Sequence, residues 1–517
     1  MKTTMVTSKQ YKIKQSTGDG TKRRVGILSS VPAKVKKQKS PFEMRMAYFG
    51  LPAALVALTL IWTMRTPAGL SYSGKMAMGI FAFALILWVS NGIPNYVTSL
   101  IVIFLLPAAG AWTEKATLGV FGYEVIWLMI AAFVIASGME KSGLAKRLAL
   151  FLVTRFGKSV NTVLIVLMVT NFLIAFVVPS TTARAVMLLP IVMMIMEVFE
   201  VGNTTPQDRN FGKLMALQGI QANNLSTGAI VTATSSQILA ISFIKDLTGT
   251  EISWMKWFIA SAPVAIITLA ASFLIGKMLF KTGNRSASAE KMTALEEEYK
   301  GLGKMNGVEV RALIIFLITI FLWATDEYHG AMFGFDISLV VVAIVSAAIF
   351  LMPHVGILTW NEAKIPWDLM IFSCGAYAGG LALDDTGVAT WVLNSVFDKL
   401  GVEHMSFMVL YAVIIFIASF SHFVFTSKTV RTIILIPTII SIAQVAGFNP
   451  VALALPASFM ICDTITLPPH SKVNLTYYST GKFTVLEEMT YGVLTLLAKW
   501  GIMVAASFTW FKMIGIM

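Results

Sequence analysis

The sequence predicts an all-α polytopic membrane protein with about 11 transmembrane helices and two re-entrant hairpins, arranged as an inverted repeat. Of the 517 residues, 56% are hydrophobic and only 13% are charged, and apolar runs of spanning length follow one another from position 46 onward. One polar string occurs twice within these runs, as STTARAVMLLP from Ser180 and as SKTVRTIILIP from Ser427. A second pair, EKSGLA from Glu140 and DDTGVA from Asp384, precedes the two copies at nearly the same separation. The chain is therefore predicted to consist of two related halves.

Residues 1–45 are predicted to form a basic cytoplasmic tail. They contain 12 Lys and Arg residues against two acidic residues, Asp19 and Glu43. A cleavable signal peptide is not expected, because no apolar stretch of roughly 7–15 residues follows the charged region directly. Such tails usually fix the topology or contact anionic lipid, so membrane lipids are expected as partners and nucleic acid is not.

The first half, residues 46–281, is predicted to hold an extra N-terminal span, then five spans and one hairpin. The predicted spans are 46–64, 75–89, 96–112, 120–146, 212–244 and 254–280. Segment 160–198 is predicted to be a hairpin, since each arm is marginal for a full crossing at about 1.5 Å per residue and the break at 179–182 is polar. The span 212–244 is interrupted by NNLSTG from Asn223 and by TATSSQ, so it is predicted to be a broken helix.

A charged segment, 282–307, divides the halves and is predicted to be a solvated cytoplasmic linker. The second half, residues 308–517, repeats the order of spans with a hairpin at 404–445. Its predicted spans are 308–323, 337–352, 367–400, 451–478 and 485–517.

Five spans in each half is an odd number, so the two halves are expected to cross the membrane in opposite directions, as in many secondary transporters. With the tail inside, four basic loops fall on the cytoplasmic side, as the positive-inside rule requires. These loops lie near 146–158, 209–213, 281–304 and 472–482. The expected location is the plasma membrane of a bacterium, with the N terminus in the cytoplasm and the C terminus outside.

The two hairpin tips are predicted to bind an anion. The backbone N–H groups at the start of a broken helix are unpaired and carry partial positive charge, and hydroxyl groups add further donors. Two tips that meet near the midplane would hold one carboxylate each, which predicts a small dianion as the substrate. The alternative is that Ser and Thr only cap kinked helices. The tip residues are Ser180, Thr181, Thr182, Ser427, Lys428 and Thr429.

Arg184 and Arg431 follow the tip residues at matching positions. Each lies in the first turn of an apolar helix, where a cation opposes the helix dipole and is costly in lipid. An anionic group is therefore expected nearby, either a substrate carboxylate or a fixed partner. The alternative is an arginine that reaches the membrane interface.

Further polar residues lie within the interrupted segments and are predicted to support the site. Asp463 should have a cationic partner, for which Lys428, Arg431 and Lys472 are candidates, and it serves either binding or the locking of two helices. Catalytic and metal-binding residues are not expected, because neither an HExxH nor a GxSxG-like string occurs; an intramembrane enzyme is a remote alternative. The supporting residues are Asn223, Asn224, Thr227, Asp463, Thr466 and His470.

With these motifs, the chain after the tail resembles the divalent anion/sodium symporter family, which includes citrate and dicarboxylate carriers and plastid 2-oxoglutarate/malate translocators. The family has a Ser, Asn, Thr signature at each tip, and its exchanger branch often continues the first copy with Ala and Arg, as Ala183 and Arg184 do in this chain. The resemblance implies a homodimer of elevator-type transporters, in which the hairpins and interrupted segments form the moving transport domain.

The sequence departs from the family signature in the middle position of both tips, where it has Thr181 and Lys428. In sodium-coupled members the tips also coordinate sodium, so the Lys428 ammonium would replace one sodium ion. The string LPPHSK, with His470 where the family commonly has Asn, points the same way. These departures favour sodium-independent exchange of C4/C5 dicarboxylates such as 2-oxoglutarate, malate, succinate and fumarate. One alternative is a sodium-coupled dicarboxylate or citrate symporter, with sodium as its one cofactor. Another is that the Lys428 side chain only extends to water and supplies no charge to the site.

Overall fold

The computed structural model of the chain describes residues 41–199, 205–283, 289–388, 391, 405–423 and 427–517. Within these ranges every regular element is a helix. Nine helical segments among the described residues are apolar and long enough to cross a membrane, and four further apolar helices are shorter. The prediction of an all-α polytopic membrane protein is therefore confirmed. The predicted tail lies almost entirely outside the described residues.

Most helices of the first half correspond to the predicted spans and hairpin arms. In chain order they are α1 (Pro41–Thr63), α2 (Tyr72–Ser90), α3 (Asn95–Ala108), α4 (Glu114–Gly119), α5 (Glu124–Ser142), α6 (Leu144–Phe156), α7 (Val160–Val177), α8 (Thr181–Phe199), α9 (Pro206–Gly228), α10 (Ser235–Thr248) and α11 (Trp254–Leu279). Side-chain caps define several of the starts. Ser159 and Thr162 form a capping box before α7, and Thr205 and Asp208 form one before α9.

The segment between the halves and the second half contain eleven further helices among the described residues. In chain order they are α12 (Ala289–Gly301), α13 (Gly307–Ala324), α14 (His329–Phe333), α15 (Leu339–Leu351), α16 (Trp367–Asp385), α17 (Phe407–Phe420), α18 (Lys428–Val445), α19 (Pro450–Ile461), α20 (Lys472–Tyr478), α21 (Val485–Phe508) and α22 (Trp510–Met513). The predicted span 367–400 is a helix as far as Asp385, and much of the rest lies outside the described residues.

A pair of apolar helices followed by a broken helix occurs in both halves. In the first half, α7 and α8 form the pair, and the next helix breaks between Gly228 and Ser235. In the second half, α17 and α18 take the place of the hairpin arms, and the next helix breaks between Ile461 and Lys472. A short 3₁₀ turn lies inside each broken helix, at Val231–Ala233 and at Pro468–His470. Both interruptions fall where the polar strings of the sequence lie.

The two halves interlock rather than pack as separate bodies. Helix α3 packs against α16, α5 against α15, α10 against α18 and α19, and α11 against α21. Between apolar helices in lipid, close backbone approach and good van der Waals packing replace the hydrophobic driving force. A Cβ atom at Gly219 would lie 2.6 Å from the ring of Tyr477, and Gly492 of α21 lies directly against the carbonyl oxygen of Ile465. These contacts hold α9 and α21 against the second broken helix.

Two regions predicted as loop or linker contain helices. The basic segment 146–158 falls largely within α6, and the predicted linker contains α12, which packs against α6. Lys146 pairs with Glu298 at 2.7 Å. The Arg147 guanidinium binds the Glu309 carboxylate at 2.8 Å and also donates to the carbonyls of Leu302 and Gly303, directly after α12. The segment is therefore attached to the protein at several points and is not only a solvated connection.

Candidate functional site

The two hairpin tips have the same local geometry. The Ser180 hydroxyl accepts a hydrogen bond from the backbone N–H of Ala183 at 3.3 Å, and the Ser427 hydroxyl accepts one from Val430 at 3.3 Å. Both serines are half-buried. They cap their helices, as the alternative interpretation of these residues expects, and each hydroxyl keeps its own hydrogen for a further acceptor. Thr182 is half-buried in the first turn of α8, and the corresponding Thr429 of α18 is buried.

The first tip meets the end of α9. The side-chain amide of Asn223 donates to the Thr181 carbonyl at 3.1 Å. The Arg184 side chain is fully buried, and its Nη2 donates to the Thr227 hydroxyl at 2.5 Å. Arg184 Nε and Nη1 have no hydrogen-bond partner within the described residues. A buried guanidinium with two unused donors is costly unless an acceptor binds there.

The second tip meets the same end of α9. Lys428 Nζ donates to the Asn224 side-chain oxygen at 2.8 Å, and the Thr464 hydroxyl donates to that oxygen at 3.3 Å. The Asn224 amide nitrogen donates to the Ile220 carbonyl at 3.0 Å, which fixes the orientation of the amide. The Lys428 ammonium therefore contacts α9, while the residue as a whole is half-buried. The consecutive residues Asn223 and Asn224 contact one hairpin tip each.

Arg431 is also fully buried, but all three of its side-chain nitrogens donate to protein acceptors. Nε donates to the Ser421 hydroxyl at 2.7 Å, Nη1 to the Ile461 carbonyl at 2.7 Å, and Nη2 to the Ala418 carbonyl at 2.5 Å. These bonds connect α18 to the end of α17 and to the end of α19. Both arginine side chains are fully buried, and the three acceptors of Arg431 are neutral oxygens rather than the anionic partner that the sequence led us to expect.

Asp463 pairs with a residue that the sequence did not suggest. Its Oδ2 atom lies 2.5 Å from Lys499 Nζ, and both side chains are buried. The candidates Lys428, Arg431 and Lys472 do not form this ion pair; Lys472 is exposed at the start of α20. Lys499 lies beyond the middle of α21, and the packing of α21 against its neighbours brings it to the break. The one signal for it in the sequence is a basic residue in the middle of the last apolar segment.

Thr466 and His470 form a separate hydrogen-bonded group with His422. The Thr466 hydroxyl lies 2.7 Å from His422 Nε2 and 3.1 Å from His470 Nδ1. His422 Nδ1 lies 2.8 Å from the Ser419 carbonyl, so this nitrogen carries the hydrogen and Nε2 accepts from Thr466. The group holds the second break against the end of α17.

Neutral donors at the end of α9 are a feature that the sequence did not reveal. The Gln237 amide donates to the Thr227 carbonyl at 2.8 Å, the Trp257 indole to the Gly228 carbonyl at 3.2 Å, and the Ser261 hydroxyl to the Ala229 carbonyl at 3.1 Å. These bonds satisfy carbonyl groups that a broken helix leaves without partners. Gln237 belongs to the string TATSSQ, which marked only the position of the break.

A cavity of about 470 Å³ lies away from the tips, where α5 begins and α10 ends. Its charged lining residues are Glu124, Lys245, Glu251, Asp326, Glu327 and Asp336. The Lys245 ammonium is paired with Glu124 at 2.9 Å and lies 3.5 Å from Glu251. Because five of the six charged residues are acidic, the lining has a net negative charge. An acidic lining repels a dianion, and the hairpin tips remain the better candidate for the substrate site.

Comparison with known proteins gives a consistent result. Residues 46–517 match the family described as the sodium:sulfate symporter transmembrane region. A protein named only as a membrane protein, from Cupriavidus necator, is 26% identical and covers 90% of this chain and 93% of its own. The sodium-dependent dicarboxylate transporter SdcS of Staphylococcus saprophyticus is 26% identical, and the alignment covers 85% of this chain and 86% of SdcS. The putative malate transporter YflS of Bacillus subtilis is 25% identical, and the alignment covers 68% of this chain and 73% of YflS.

A solved structure shares the fold. The Alcanivorax borkumensis YdaH transporter superposes with a TM-score of 0.51 at 14% identity, covering 91% of this chain and 98% of its own. At this identity the likeness concerns the fold alone, which is that of a polytopic membrane transporter. The match over residues 46–517 confirms the resemblance expected from the tip motifs. The chain therefore belongs to the sodium:sulfate symporter transmembrane family, that is, to the divalent anion/sodium symporters, which are transporters and not enzymes.

Proposed function

We propose that this protein exchanges C4/C5 dicarboxylates, such as 2-oxoglutarate, malate, succinate and fumarate, across the membrane without sodium. The observation that carries the proposal is the contact of Asn223 with one tip and of Asn224 with the other. Lys428 binds the Asn224 amide, and the buried Arg184 binds Thr227, one turn further along α9. Two relatives are named for dicarboxylate and malate transport, which supports this substrate class.

Each tip offers a different kind of carboxylate contact. Arg184 keeps two nitrogens, Nε and Nη1, without a protein partner within the described residues, so it can donate a charge-assisted hydrogen bond to one carboxylate. Lys428 contributes a point charge for the second carboxylate. The Ser180 and Ser427 hydroxyl hydrogens, together with the backbone N–H groups of the first helical turns, complete the two sets of donors.

The fixed charges give a physical reason for exchange. Because Asp463 and Lys499 compensate each other, the site retains three positive charges, on Arg184, Lys428 and Arg431. A bound dianion reduces this excess to one. Occlusion of the empty site would leave two more charges uncompensated in a dry environment, at a cost of several kcal/mol each. The loaded carrier then crosses readily and the empty carrier does not, which is obligatory exchange.

The resemblance to the family supplies the remaining parts of the proposal. The hairpins and the broken helices would move together as the transport domain of an elevator in a homodimer. The bacterial relatives support a bacterial plasma membrane as the location. The basic loops favour a cytoplasmic N terminus and an external C terminus.

Sodium-coupled symport is the second candidate, because the SdcS relative is named as a sodium-dependent transporter. In that case sodium would bind at the broken helices, where the ends of half-helices commonly coordinate such ions. Lys428 argues against this candidate at the second tip, since its ammonium already lies beside Asn224 and Thr464.

Uptake into proteoliposomes separates the two candidates. Labelled 2-oxoglutarate is added outside, with the lumen empty or loaded with malate or succinate, and each condition is run in sodium and in choline. Exchange predicts uptake that requires internal dicarboxylate and ignores sodium. Sodium-driven uptake into empty liposomes would establish the symporter instead, and saturation with substrate distinguishes either carrier from a channel.

A further inference from the structure

Lys499 is a buried cation that the transport proposal uses only as the partner of Asp463. Its side chain is almost completely inaccessible although it lies within the long apolar helix α21. Its Nζ atom is 2.5 Å from Asp463 Oδ2 and 2.9 Å from the carbonyl oxygen of Phe459. An ammonium within a membrane span is costly unless oxygen ligands replace its water, and in this helix a carboxylate and a carbonyl do so.

The ends of both broken helices meet at this ammonium. Phe459 belongs to the last turn of α19, whose final carbonyls have no partner within the helix. Gly228 ends α9, and a Cβ atom at this position would lie 3.5 Å from the Phe459 oxygen and 3.7 Å from Lys499 Nζ. Two helix C-termini, each with partial negative charge, therefore face the same cation.

We propose that the Asp463 carboxylate and the Phe459 carbonyl form a monovalent-cation site that the protein fills with its own Lys499 ammonium. A carboxylate together with a carbonyl at an unwound helix end is a ligand set suited to a small monovalent cation. Asp463 Oδ1 is buried and has no hydrogen-bond partner within the described residues, so a further ligand atom is present. The transport proposal counts this ion pair only in its charge balance and assigns it no ligand.

A tethered ammonium differs from a bound ion in one respect, which is that it cannot dissociate during the transport cycle. The site is therefore occupied permanently and serves to hold the two breaks together. Removal of the Lys499 side chain would leave the carboxylate and the carbonyl facing a space of the size of an alkylammonium head group. We expect a small free cation, methylammonium above all, to bind there.

Thermal unfolding of the purified full-length protein tests this site without any transport assay. The variants are K499A, the charge-free double variant D463N/K499M, and the control K277A. Lys277 is a half-buried lysine near the end of α11 whose ammonium donates to the Thr282 hydroxyl at 2.7 Å and to the Gly283 carbonyl. Each protein is measured in methylammonium, sodium and choline chloride at equal ionic strength.

K499A should lower the unfolding midpoint in choline by roughly 5–10 °C, because a buried carboxylate loses its partner. Methylammonium should recover most of this loss with a saturable concentration dependence. Wild type, K277A and D463N/K499M should not distinguish methylammonium from choline, and D463N/K499M should be more stable than K499A in choline.

Equal responses of K499A and D463N/K499M to methylammonium would overturn the proposal, because they would show that no site depends on Asp463. Should K499A yield no folded protein, recovery of folded D463N/K499M supports the pairing and its failure contradicts it. The unfolding midpoints report on this site whether or not the protein is an exchanger. A failure of this proposal can therefore be told apart from a failure of the transport proposal.

Discussion

The two copies of the repeated string fold alike but use their arginines differently. Ser180 and Ser427 cap their helices at the same distance, and both arginines are fully buried. Arg431 gives all three nitrogens to protein acceptors, whereas Arg184 leaves two of its nitrogens without a partner within the described residues. The duplication has therefore preserved the geometry of the tip while the second arginine has become part of the structure. The first remains available to an anionic ligand.

The two broken helices also differ in the groups that bind their last carbonyl oxygens. Neutral side chains, Gln237 and Trp257 among them, satisfy the last carbonyls of α9. The last carbonyls of α19 are bound by two cations, Lys499 and Arg431. The second broken helix thus has two buried cations at its last carbonyls, whereas the guanidinium nitrogens without a partner within the described residues belong to Arg184 in the first half.

Replacement of each arginine by glutamine should have the largest effect of the substitutions considered, and it should separate the roles of the two tips. R184Q should reduce dicarboxylate transport by about 100-fold or more, because a buried charge-assisted contact is lost, and should change the unfolding midpoint little. R431Q should instead destabilise the protein by about 3 kcal/mol or more, since several buried acceptors lose their donor.

Exchange rates in proteoliposomes and thermal unfolding of the same preparations measure the two effects. Loss of stability in R184Q equal to that in R431Q would contradict the assignment of different roles. Normal transport by R184Q would remove Arg184 from the substrate site.

Replacement of Lys428 by asparagine tests the charge of the second tip, because it restores the family residue there. K428N removes the point charge beside Asn224 and should raise the KM for dicarboxylate by about tenfold in sodium-free medium. Added sodium should recover part of this loss. The matched control is K256N, which changes an exposed lysine of α11. A KM for K428N equal to that of wild type, with or without sodium, would show that Lys428 supplies no charge to the site.

The sequence predicted the elements that follow from apolar length and from the repeated strings. Helices at most of the predicted spans, the two helices of segment 160–198 and the two broken helices are present because run length and polar interruptions are local properties of the chain. The re-entrant course of segment 160–198 stays a prediction, since α7 and α8 are each long enough to cross a membrane. The pairing of Asp463 with Lys499 could not be predicted in this way, because it depends on how α21 packs against α19. The different roles of Arg184 and Arg431 were also hidden, since the two copies read alike and the acceptors of Arg431 come from other segments.

The two adjacent asparagines allow a finer comparison. N223A should loosen the first tip, and N224A should release Lys428 and Thr464, each by loss of one or two hydrogen bonds of about 1 kcal/mol. We expect a several-fold rise in KM for N223A that does not depend on sodium. For N224A we expect a similar rise that sodium alters, because the freed ammonium no longer has a fixed position. The same sodium response in both variants would contradict the assignment of one asparagine to each tip.

Removal of the tip hydroxyls should have the smallest effect. S180A and S427A each lose a cap of the same geometry, for which about 0.5–2 kcal/mol is typical, and each loses one donor to the substrate. The two variants should therefore lose comparable transport activity. A large loss in one variant with a normal rate in the other would favour a single reactive serine, as in an enzyme.

In the proposed mechanism the protein itself carries the positive charge that holds a dianion between the two tips. Equilibrium binding of 2-oxoglutarate or succinate to the purified protein, titrated calorimetrically in choline chloride and again in sodium chloride, tests this mechanism most directly. We predict binding in the complete absence of sodium, with a Kd that sodium leaves unchanged. Binding that appears only when sodium is present would contradict the mechanism, because bound sodium would then supply the charge now attributed to Arg184 and Lys428.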